Sequence, residues 1–98
     1  MEKAAQLLIV IREHLDGGRY FDTRHGSERK LERLITRPEV LHVLRHGYHE
    51  KRKDKFESQF QAWNYAIRGK TSDGKELRVI VSFDENNMLI ITAIDLNL

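Results

Sequence analysis

The stretch from residue 73 to residue 96 constrains the fold of this chain more than any other. Asp73-Gly74 is a hairpin signal, because both residues tolerate positive φ. After it, Leu77, Val79, Val81 and Phe83 alternate with Arg78, Ile80 and Ser82, the period of a strand with one buried face. Asp84-Glu85-Asn86-Asn87 supplies the next turn, and residues 88–96 form a last strand rich in isoleucine. Ahead of the first turn, Trp63, Tyr65 and Ile67 alternate with Asn64, Ala66 and Arg68 in the same way. Two consecutive hairpins predict at least three antiparallel strands, and their apolar face needs a cover.

The first half of the chain provides that cover. Ala4, Leu7, Leu8, Ile11 and Leu15 recur at helical spacing and predict a helix over residues 2–15, stopped by Gly17-Gly18. Tyr20-Phe21 reads as a short extended piece leading into His25. Ser27 is an N-cap for a second, short helix that turns Leu31, Leu34 and Ile35 inward. Thr36-Arg37-Pro38-Glu39 has capping-box spacing and opens a third helix. It buries Val40, Leu41 and Leu44, with Val43 beside them, and ends at Gly47. Residues 48–61 are polar and basic with Phe56 and Phe60 embedded, and no element is assigned to them.

Size and composition narrow the function classes. At 98 residues the chain fits one domain, residues 1–98, and is long enough to fold without covalent staples. There is no cysteine, so disulfides, thiolate metal sites and cysteine nucleophiles are excluded and a reducing compartment is favoured. No apolar run approaches the roughly 18 residues of a membrane span, and the N-terminal run is cut short by Arg12 and Glu13. The expected location is cytoplasmic. The net charge of +2 is unevenly spread. Arg45, Lys51, Arg52, Lys53, Lys55, Arg68 and Lys70 crowd the middle, whereas beyond Arg78 there is no lysine or arginine. Such asymmetry points to an anionic partner or to a solvated basic loop.

A longer pattern runs through these pieces. It reads His25-x3-Arg29-x3-Arg33-Leu34-Ile35, a capped helix ending Leu44-x2-Gly47, and Trp63-x-Tyr65-x-Ile67-x-Gly69. It continues with Asp73-Gly74-x-x-Leu77-x-Val79-x-Val81 and closes on Leu89-Ile90-Ile91-Thr92-Ala93. In order and spacing this resembles the DUF4258 family, small bacterial domains related to toxins of BrnT and RelE type. The resemblance covers about residues 21–96, with residues 1–18 as an extra N-terminal helix. It implies an α+β fold in which N-terminal helices pack on a bent antiparallel sheet of three to four strands, as in RelE-like and barnase-like ribonucleases. It also implies a toxin-like RNA-binding domain, a metal-independent endoribonuclease of a toxin–antitoxin system, with RNA and a protein antitoxin as partners. The alternative is a non-enzymatic protein- or nucleic-acid-binding module of the same fold.

Metal-free RNA cleavage needs a base titrating near neutrality and cations to hold the phosphate. His25, Arg29 and Arg33 suit those tasks, the two arginines sharing a face if residues 27–35 are helical. Arg78 lies opposite Leu77 and Val79 in a central strand. The resemblance implies that its face carries the phosphate site, with Tyr65 or Arg68 joining it and Thr92 as a further hydroxyl. Lys51, Arg52 and Lys53, beside Tyr48, His49 and Phe56, mix basic and aromatic groups as RNA-binding surfaces do. Glu39, His42, His46 and His49 form a stripe that could approach a zinc site, but the HExxH arrangement is missing and a polar helix face is the better reading. No metal and no cofactor is assigned.

Overall fold

A computed structural model describes residues 3–24 and 34–97. Their elements run α1 (Leu7–Asp16), β1 (Tyr20–Asp22), α2 (Arg37–His46), β2 (Tyr48–His49), a 3-10 turn (Lys51–Lys53), β3 (Lys55–Glu57), β4 (Ala62–Lys70), β5 (Glu76–Phe83) and β6 (Met88–Asp95). The fold is α+β, as expected, but the sheet is larger and mixed. It has six strands in the order β1-β6-β5-β4-β2, with β3 also paired to β4. β4, β5 and β6 form the expected antiparallel meander. The additional strands are two or three residues long, too short for a period-2 pattern to register. Among them, β1 runs parallel to β6, with Phe21 opposite Leu89.

α1 starts later than its apolar stripe suggests, at Leu7, after Gln6 in the left-handed region (φ 52°). The preceding residues are drawn onto the sheet instead of continuing the helix. The Ala4 N–H donates to Tyr65 Oη at 2.7 Å, and the Lys3 ammonium lies 4.6 Å from the centre of the Trp63 ring. α2 carries the expected capping box: Glu39 N–H donates to Thr36 Oγ1, and Thr36 N–H donates to Glu39 Oε1. Its fully buried residues are Val40, Val43 and Leu44, with Leu41 half-buried. Of the predicted helix over 27–35, residues 27–33 lie outside the described residues. Leu34 sits exposed in a turn and Ile35 is buried.

Two glycines allow a close approach that matters for the site. A Cβ on Gly47 would lie 2.5 Å from Arg68 O and 2.6 Å from Val43 O, and one on Gly69 would lie 3.0 Å from Gly47 Cα. This bare contact brings the chain after α2 against β4, so that β2 can pair with Arg68 and Ile67. The β4–β5 turn differs from the expected two-residue form. Gly74 has positive φ (88°) and Asp73 does not, and Thr71 N–H bonds Lys75 O. Ser72, Asp73 and Gly74 thus form a three-residue loop, the other common hairpin solution.

One face of the sheet carries Tyr65, Ile67, Leu77, Val79, Val81, Met88, Ile90 and Ala93, all buried, and Leu7, Ile11, Leu15, Val40, Val43 and Leu44 of the helices complete the core. A register shift opposite Ile80 and Val81 lets Ile90 and Ala93 both face inward while Ile91 is extra. Among the described residues, both helices lie on this one face. The other face stays open, with Phe21, Ile91 and Ile94 exposed.

Candidate nucleic-acid interface

The register of β4 and β5 sets Arg68 directly opposite Arg78. Both belong to the open face, since Ile67, Gly69, Leu77 and Val79 point the other way. Two guanidinium groups on one cross-strand pair would repel unless a counter-charge lay between them. Glu50 is that counter-charge. It follows β2 directly, and its N–H donates to Ala66 O, which carries the alternation of β2 one residue further and turns the carboxylate onto the open face.

Glu50 is 5 % exposed, so an unpaired charge there would be costly. Arg78 Nε donates to its Oε1 at 2.7 Å, and Arg78 Nη2 and Arg68 Nη1 donate to Oε2 at 3.3 and 3.2 Å. The hydrogen bond from Arg78, joined by that from Arg68, outweighs burial and lowers the Glu50 pKa to about 2. Arg68 Nε also reaches Glu76 at 3.3 Å, and Arg52 stands 3.7 Å from Glu50. Three arginines and two carboxylates leave this cluster with an excess of positive charge. The Arg78 side chain is 16 % exposed and that of Arg68 is 28 % exposed, so each keeps an edge toward solvent.

The adjoining 3-10 turn carries Lys51, Arg52 and Lys53, all exposed, and Tyr48 lies on the same face as Arg68, its cross-strand partner. Thr92 pairs with Ile80 and shares the open face, half-buried. Tyr65 does not join them. It is buried on the helix side, where its hydroxyl accepts from Ala4, so it is a core residue. His25, Arg29 and Arg33 lie outside the described residues.

Behind the turn, Asp54 anchors the basic segment. Its carboxylate is fully buried, accepts the Ala66 N–H at 2.9 Å, and lies 2.7 Å from His49 Nε2 and 3.1 Å from Lys3 Nζ. His49 is therefore committed to Asp54, while the His42 and His46 rings pack on each other with centres 4.7 Å apart. Glu39 is held by Thr36 and Lys75. Among the described residues, no group of three or more histidines and carboxylates could hold a metal ion. No helix among them is long and apolar enough to cross a membrane.

Neither Glu50 nor Asp54 stood out in the sequence. Both sit in a basic run where a carboxylate reads as dilution of charge, and only the hydrogen bonds that tie this segment to Ala66 of β4 bring them into buried positions. No curated protein and no solved structure matches the chain. The model of DUF4258, a domain of unknown function, matches residues 23–95, which include Glu50, Arg68 and Arg78, and the chain belongs to that family.

Proposed function

We propose that this domain binds single-stranded RNA across the open face of its sheet, as a relative of the BrnT- and RelE-type toxins that its sequence resembles. The observation that carries the reading is the Arg68–Arg78 pair, held by the buried Glu50 that lies between the two guanidinium groups. Guanidinium groups fixed by a carboxylate lose little further rotamer freedom on meeting a phosphate, and each has donors left over. Beside them lie a cationic turn at Lys51–Lys53 and the exposed ring of Tyr48, and further along the sheet stand the exposed rings of Phe21 and Phe60, on which bases can stack.

Cleavage asks for more than this. Glu50, with its pKa near 2, is too weak a base to take a 2′-hydroxyl proton at neutral pH. In the toxin reading that task falls to His25, with Arg29 and Arg33 on the phosphate, and a protein antitoxin would cover the same face. Binding and cleavage separate in one assay: a labelled single-stranded RNA is incubated with the protein in EDTA, anisotropy reads binding, and a gel reads integrity. A toxin-like nuclease binds and cuts, and His25→Ala stops the cutting. A binding module binds and leaves the RNA whole. Absence of binding at low salt by a folded sample removes the proposal.

A further inference from the structure

The same face carries a pocket that the phosphate cluster does not use. It is a cavity of about 590 Å³, within the roughly 300–1,000 Å³ range of small-ligand sites, bounded by Phe60, Leu89, Ile91, Asn64, Glu57 and Asp84 among others. Its surface is largely apolar. Leu89 is half-buried, the bulged Ile91 is exposed, and Phe60 stands 72 % exposed at the rim. The turn bearing Phe60 is closed by hydrogen bonds from the Gln61 side chain, Nε2 to Ser58 O at 2.7 Å, and from the Gln61 N–H to the same carbonyl.

The polar groups of the pocket are chiefly acceptors. Asp84 Oδ1 takes the N–H groups of Asn86 and Asn87, which leaves Oδ2 open. Glu57 Oε1 takes the Gln59 N–H and leaves Oε2 open. The Asn64 carboxamide has no hydrogen-bond partner among the described residues. No lysine or arginine lines the cavity, so it does not suit a phosphate. It suits a flat, uncharged molecule that presents donors to a carboxylate and an acceptor to an amide.

We infer that this pocket is a nucleobase subsite selective for guanine, an inference that rests on the RNA-binding reading above. The Watson–Crick edge of guanine carries two adjacent donors, N1–H and N2–H, that one carboxylate grips together, and its O6 accepts from an amide N–H. Adenine and cytosine offer one amino group beside a ring nitrogen acceptor, and uracil offers a single N3–H between two carbonyls that would face the carboxylate oxygens. Phe60 stacks on the base, while Leu89 and Ile91 close its other side. From Arg78 to Ser82, which also lines the pocket, is four residues or ~13 Å along a strand. A strand of RNA held at the arginines can therefore reach the pocket with a base a short way along.

The test is titration of the full chain with guanosine, adenosine and uridine, followed by amide chemical shifts. A parallel arm uses single-stranded RNA with and without one guanine. Guanosine is expected to give saturable shifts around Asn64 and Phe60, and to bind at least about tenfold more tightly than adenosine or uridine. Glu57→Gln should remove that preference. Phe60→Ala should weaken guanosine roughly fivefold or more, with both variants unfolding at the wild-type temperature. Equal response to all three nucleosides, no saturable response, or shifts confined to Arg68 and Arg78 would overturn the inference. RNA binding without guanine preference would remove the subsite and leave the RNA reading standing. Guanosine binding without RNA binding would do the reverse.

Discussion

Replacing Glu50 with Gln keeps the shape of the side chain and removes the charge that holds Arg68 and Arg78 together. Three charge-assisted hydrogen bonds converge on this carboxylate, which is 5 % exposed. Its pKa falls from the ordinary 4.5 to about 2, which corresponds to about 3 kcal/mol of stability at neutral pH. The loss in Glu50→Gln should approach that figure, because two arginines are then left facing each other across β4 and β5. For a domain of this size it lowers the melting temperature by roughly 12–20 °C. The pH dependence follows from the sign of the shift. A depressed carboxylate contributes fully above its unfolded value of 4.5 and loses that contribution as pH falls toward about 2. Urea unfolding of wild type and variant should therefore show a wide gap at neutral pH that narrows steadily on acidification. A gap below about 0.5 kcal/mol at neutral pH, no larger than an ordinary surface change, would show that Glu50 does not hold the two arginines. So would one that stays constant as the solution is acidified.

Other perturbations probe other parts of the fold. Gly47→Ala drives a Cβ to within 2.5 Å of Arg68 O, so it should destabilise by about 2 kcal/mol or more in thermal unfolding. It should also disturb the amide shifts of Arg68. Asp54→Asn weakens the ties from Lys3 and His49 to a fully buried group, and a loss of about 2 kcal/mol is expected in urea unfolding. Faster amide exchange at residues 49–55 should accompany it. Thr36→Ala removes the hydroxyl that accepts the Glu39 N–H; the cost is about 1 kcal/mol, measured by calorimetry.

The elements legible in the sequence are those with enough residues to repeat a period or a cap. β4, β5 and β6 are eight or nine residues long and show their alternation directly. α2 is written in Thr36, Pro38, Glu39 and Gly47. β1, β2 and β3 are defined by whom they pair with, and two or three residues carry no pattern from which a partner could be read. The face of Arg78 was readable because its neighbours alternate. Tyr65, by contrast, keeps strand period with Trp63 and Ile67, so its place in the core follows from the same rule that puts Arg68 outside. What remained hidden was Glu50. A carboxylate among lysines looks like solvated charge until the Gly47–Gly69 contact brings it under two arginines. The change of phase in β6, from Met88 and Ile90 to Ala93, is set by the bulge in its pairing with β5, which an isoleucine-rich run does not reveal.

The claim that the open face binds RNA is tested most directly by the salt dependence of affinity. Anisotropy titrations of a short single-stranded RNA, in EDTA and over roughly 50–200 mM salt, would compare wild type with a variant carrying Lys51→Ala, Arg52→Ala and Lys53→Ala. All three residues are exposed, so the fold should survive the change. Binding is expected to weaken steeply with salt, and the slope of log affinity against log salt to be reduced by about 2 in the variant, ~0.7 for each lost phosphate contact. Unchanged affinity and slope in the variant, or no binding by the wild type at the lowest salt, would contradict that claim.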